Sequence, residues 1–114
     1  MSMTVLYHLA SDADWQAAQS AGSYSAPSLA SEGFIHCATA EQLRGVHQRY
    51  YQQARAIWLL TLEMPPEAPE LVWENTSGGQ DLFPHWYGEL PQALIKQAEV
   101  LIDQEAQTHW PAGF

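Results

Sequence analysis

Hydrophobic and polar positions alternate or cluster along this chain in a way that predicts short strands separated by two helices. Thr4-Val5-Leu6-Tyr7-His8-Leu9 reads as a first strand, with Val5 and Tyr7 on one side and Leu6 and His8 on the other. Ser11 has the character of an N-cap, followed by acids at Asp12 and Asp14 and by Trp15, Ala18 and Gln19 at helical spacing, with Gly22 as the stop. Ser23 to Glu32 is rich in Ser, Ala and Pro and reads as a loop leading to a second strand, Phe34 to Cys37. Thr39 and Gln42 have the form of a capping box and start a helix to about Gln53. Ile57 to Leu62 is a nearly continuous apolar run, expected at the centre of a sheet and buried on both faces.

Pro65, Pro66 and Pro69 end that run and open a loop to a strand at Leu71 to Glu74, after which Asn75 to Gly79 reads as a turn. Phe83 to Gly88 is a further strand-like stretch. One helical turn near Pro91 to Ile95 then precedes a last strand, where Ala98, Val100 and Ile102 alternate with polar residues. The pattern implies an α+β class: a small single domain over 1–103, with several short, mostly antiparallel strands and two helices, followed by a loosely held tail at 104–114.

Composition narrows the function classes. At 114 residues with 46% hydrophobic residues and five Trp, the chain supports one core, and its large aromatic faces must be buried or used on a ligand. Four Lys and Arg against 13 Asp and Glu leave a net charge of −9, which argues against long nucleic acid as a partner. Arg44, Arg49 and Arg55 lie close enough in sequence for a local phosphate contact. The single Cys37 excludes an internal disulfide, and no apolar run approaches the roughly 20 residues a bilayer requires, so a cytoplasmic protein without a membrane partner is expected.

The candidate chemistry lies where polar groups interrupt apolar strands. His8, His36 and His85 sit within such runs and Glu74 ends another. Each must satisfy its polar atoms, and a shared ligand site does so, although each alone also fits an imidazole bonded to a backbone carbonyl or a solvated acid. The free amides at the start of the helix after Thr39 are a potential phosphate site. Cys37 and His36 are adjacent on a strand and point to opposite faces, which favours an inert thiol over a nucleophile–base pair. No tight metal-ligand spacing such as Cys-x-x-Cys or His-x-x-x-His is present, and no bound metal is expected.

Tyr7-His8, Trp15, Gly22-x-Tyr24, Glu32-Gly33-Phe34-Ile35-His36-Cys37-Ala38-Thr39 with Gln42, Val72-Trp73-Glu74 and Phe83-Pro84-His85-Trp86-Tyr87-Gly88 resemble the small bacterial family called domain of unknown function 952, over residues 4–102. Members are sometimes labelled glutathione S-transferase, but the chain is about half that fold's length and lacks its thioredoxin-like opening. The resemblance implies a fold similar to the ADP-ribosyltransferase superfamily, which includes NAD-dependent RNA 2′-phosphotransferases. It further implies NAD as cofactor, with His8, His36 and Glu74 as catalytic residues in the order the superfamily uses. Tyr24, Thr39, Gln42, His85 and Tyr87 would be the ligand-binding residues around them. The scarcity of basic residues weighs against RNA as acceptor. Two other classes stay open on the same residues: a non-catalytic module that binds a small ligand, and a metal-dependent hydrolase built on the histidines.

Overall fold

Among the described residues eight strands and three helices follow one another in the order β1 (Thr4–Ser11), α1 (Asp12–Ala21), β2 (Ser23–Tyr24), α2 (Pro27–Glu32), β3 (Ile35–His36), α3 (Ala40–Tyr50), β4 (Ile57–Met64), β5 (Leu71–Glu74), β6 (Phe83–Trp86), β7 (Leu90–Pro91) and, after a single 3-10 turn at Gln92–Leu94, β8 (Ile95–Ile102). This is a computed structural model, and it describes residues 3–75 and 79–114. The turn expected over Asn75 to Gly79 falls largely on 76–78 and lies outside the described residues.

All strand pairs among the described residues are antiparallel. β4 is the centre of β1-β4-β8, β6 is the centre of β3-β6-β5, and β2 pairs with β7. As the nearly continuous apolar run of Ile57 to Leu62 leads one to expect, β4 contributes to a core on each face. Leu60, Leu62 and Met64 pack with Leu6, Ile35 and Trp86. Ile57 and Leu59 pack with Leu9, Leu43 and Leu101. Alternation along a strand sends successive side chains to opposite faces, so one central strand serves both clusters.

Caps set the helix limits. The Ser11 side chain accepts from the Asp14 amide, and Thr39 and Gln42 form a reciprocal capping box on α3. The expectation of two helices is corrected to three, because part of the Ser23 to Glu32 loop is α2. Pro27 occupies its first turn, where a missing amide costs nothing, and Gly33 closes it at φ 92°. The segment 104–114 also differs from a loose tail: Trp110 and Phe114 pack against the second cluster, and Arg44 donates to the Phe114 carbonyl at 2.8 and 2.6 Å. Composition alone hid this, since the two rings are widely spaced among polar residues.

β1 meets the β3 side of the molecule at one point. Tyr7 and Ala38 exchange backbone hydrogen bonds of 2.8 Å in both directions. The bridge is isolated, and residues on both sides of it, from Tyr7 to Leu9 and from His36 to Ala38, line the main cleft. Among the described residues no helix is long and apolar enough to cross a membrane.

Candidate functional site

Strand register builds the site. His36 lies directly opposite His85 across β3 and β6, and Val72 lies opposite His85 on the other side. Residues two apart share a face, so Phe34, His36, His85, Tyr87 and Glu74 all lie on one face of this small sheet. Ile35 and Trp86, on the other face, are buried in the core. The face left uncovered by the core therefore carries two imidazoles, a carboxylate, a phenol and a phenyl ring.

His85 is the buried member, 1% exposed, and Phe34 stacks on it with centroids 4.0 Å apart and planes inclined by 14°. Its Nδ1 is 2.8 Å from Glu74 Oε1, and the same oxygen accepts from the Tyr87 hydroxyl at 2.6 Å. The Tyr87 bond and then the His85 bond hold the Glu74 carboxyl below its ordinary 4.5, so it is the anion at neutral pH. A carboxylate only accepts, which assigns the proton on a neutral His85 ring to Nδ1 and leaves a lone pair on Nε2. Nε2 has no hydrogen-bond partner among the described residues. No side-chain nitrogen or oxygen among them is both fully buried and unpartnered, so Nε2 keeps a small accessible surface although the residue is 1% exposed.

His36, across from it, is half exposed, with ring centroids 5.1 Å apart and planes at 80°. Its Nε2 lies 3.1 Å from Glu32 Oε2, across the turn made by Gly33. Two Glu–His couples thus stand side by side.

His8 belongs to a different arrangement. Its Nδ1 hydrogen-bonds to the backbone carbonyl of His36, which can only accept, so this nitrogen carries the proton. Its Nε2 then accepts from the Tyr24 hydroxyl at 2.7 Å. Burial, opposed by the bond to the His36 carbonyl, lowers His8 to about 4, and burial raises the Tyr24 phenol. His8 is a neutral ring with both nitrogens engaged inside the protein. It ties β1 to β3.

The cleft that opens there has a volume of about 640 Å³. His8, Tyr24, His36 and His85 line it. Glu74 and Tyr87 do not: they stand behind His85 and reach the cleft only through that ring. Thr39 and Gln42 line a separate depression of about 360 Å³, and their polar atoms are engaged in the α3 cap, with Gln42 Nε2 also donating to the Leu82 carbonyl at 2.8 Å. Cys37 is buried and its thiol is pushed up to about 12 by burial, in keeping with an inert side chain. Among the described residues no three His, Cys, Asp or Glu side chains gather where a metal ion could be held. The engagement of both His8 nitrogens removes one histidine from any such set.

The chain by itself gives no site role to Glu32, Phe34 or Phe83, and it marks Arg49 only for a local phosphate contact beside Arg44 and Arg55. Glu32 and His36 are four apart across Gly33, a spacing hidden by treating Ser23 to Glu32 as loop. Arg49 follows Leu43 and Val46 at helical spacing, and all three face the cleft.

The model of the family described as protein of unknown function DUF952 matches residues 9–98. The chain belongs to the DUF952 family. Among solved structures it is similar to protein CC0527 from Caulobacter crescentus. The crystal structure shares 28% identity with a TM-score of 0.79, over 93% of this chain and 94% of that one. The solution structure shares 29% identity with a TM-score of 0.76, over 91% and 90%. No curated protein matches the chain.

Proposed function

We propose that this DUF952 protein is an enzyme that binds a small molecule in the cleft between β1 and α3 and uses His85, oriented by Glu74, as its general base. The observation that carries this is the Glu74 Oε1 to His85 Nδ1 bond of 2.8 Å, made by a carboxylate outside the cleft to a ring inside it. Such a couple fixes the tautomer and stabilises the imidazolium that forms when Nε2 takes a proton, a contribution of about 10²–10⁴-fold in general base catalysis. His36, with Glu32 behind it, is the second acid–base group. The cleft's volume and its mix of aromatic and few polar groups are those of a small-ligand pocket.

The narrower proposal is transfer of ADP-ribose from NAD. It is supported by the order of His8, His36 and Glu74 along the chain, which is similar to that of the ADP-ribosyltransferase superfamily, and by aromatic walls suited to nicotinamide and adenine. An acceptor hydroxyl would bond to the ribose carbon as the glycosidic bond breaks, nicotinamide leaving with the electron pair and the hydroxyl proton passing to His85 Nε2. Glu74 then acts through His85 rather than on the ribose. A binding module without turnover is the second reading. It is favoured by one observation, that His8 has neither nitrogen free for chemistry.

Nicotinamide release from NAD by wild type and by His85→Gln, beside calorimetric titration with NAD, separates them. The enzyme reading expects release by wild type, and loss of at least about 100-fold in His85→Gln with NAD still bound. NAD binding without release in either protein leaves the binding module, and no binding removes NAD.

A further inference from the structure

The chain has four basic side chains, and three are accounted for elsewhere. Arg44 donates to the Phe114 carbonyl and lies over the Trp110 ring at 4.6 Å. Arg55 reaches the Gln104 carbonyl at 3.4 Å. Lys96 is exposed on β8 and lines neither cavity. Arg49 alone among them lines the main cleft, and with Phe83 it also lines the adjoining depression, so its side chain stands at the seam between the two. Among the described residues its guanidinium has no hydrogen-bond or ion-pair partner.

This placement is unusual on a surface carrying net charge −9. A lone arginine among so many acids has nearby carboxylates to choose from: Glu41 and Asp81 line the same depression, and Asp14 and Glu32 line the cleft. It pairs with none of them. The cleft's walls are aromatic, with Tyr7, Tyr24, Tyr50, Tyr51 and Phe83 contributing rings beside the histidines. Rings take planar ligands, and a guanidinium fork takes an oxyanion through two parallel hydrogen bonds.

We propose that Arg49 is the specificity determinant of the cleft and selects aromatic or heteroaromatic ligands that carry an oxyanion, a phosphate ester first. The proposal rests on the cleft's being the ligand site and does not depend on His85 acting as a base. The guanidinium holds the anion at the seam while the ring of the ligand enters between the tyrosines. Asp14 and Glu32, which also line the cleft, disfavour a second anionic group there.

The test uses wild type and Arg49→Gln, an exposed substitution that leaves both cores intact. Each is titrated with two neutral and anionic pairs, adenosine with adenosine 5′-monophosphate and nicotinamide with nicotinate, following backbone 1H–15N shifts of residues 43–51 and 83–85. The expected result is that wild type binds adenosine 5′-monophosphate at least about tenfold more tightly than adenosine, and that Arg49→Gln abolishes the difference. Preference for nicotinate over nicotinamide as well would extend the class to carboxylates; its absence would restrict it to phosphates. Equal affinity for adenosine and adenosine 5′-monophosphate in wild type, an unchanged preference in Arg49→Gln, or no binding of any of the four compounds would overturn the proposal. An Arg49-dependent preference alongside unimpaired turnover in His85→Gln would reject the base and keep the anion site.

Discussion

His36 and His85 face each other across β3 and β6, their ring centroids 5.1 Å apart and their planes nearly perpendicular. Direct cross-strand opposition brings together two residues 49 positions apart in the chain, and each ring has its own glutamate, Glu32 for His36 and Glu74 for His85. An exposed couple and a buried couple at one cleft differ in how freely they exchange protons with solvent.

His8 makes the fold sensitive to mild acid. Its value falls from 6.5 to about 4, chiefly through burial, so between those limits the unfolded chain binds a proton that the folded chain refuses. The His8 contribution to stability is complete above pH 6.5 and is lost as pH falls toward 4, by on the order of 3 kcal/mol. Urea unfolding from pH 7 to 4.5 should show this slope in wild type and a flatter one in His8→Gln. Asp12, bonded to Trp58, Glu74, bonded to Tyr87, and Asp103, bonded to His109, are all held low and add their losses at more acidic pH. The same slope in both proteins above pH 5 would show that His8 is not the group responsible.

Tyr24→Phe should cost about 1–3 kcal/mol in urea unfolding, because it leaves the His8 Nε2 lone pair buried without a donor. The ring volume is conserved, so a smaller cost would mean that the hydroxyl does not make this bond.

Thr39→Ala should cost about 1 kcal/mol by removing the α3 cap. Ligand affinity in the main cleft should stay within about twofold, as Thr39 lines only the neighbouring depression. A large loss of affinity with unchanged stability would return Thr39 to the ligand site.

Much of the fold is legible in the chain because its signals are local. The Ile57 to Leu62 run, the Ser11 cap and the Thr39–Gln42 box each depend on neighbours within a few residues. The helix at Pro27–Glu32 is too short for periodicity to reveal, and the packing of Trp110 and Phe114 is a tertiary matter. The candidate site divides in the same way. That His8, His36, His85 and Glu74 interrupt apolar strands is visible along the chain, and three of them do line one cleft. That Glu74 stands behind His85, and that His8 is tied to Tyr24 and to the His36 carbonyl, follows from register and from the isolated bridge between Tyr7 and Ala38.

The most direct measurement of the Glu74–His85 couple is the tautomer of His85, read from long-range 1H–15N spectra of the imidazoles at a pH where the ring is neutral. The expected result is a proton on Nδ1 in wild type, with Nε2 bare toward the cleft, and a shift toward the Nε2–H form in Glu74→Ala. A wild-type ring protonated on Nε2, or a tautomer indifferent to loss of Glu74, would contradict the assignment of His85 as the base.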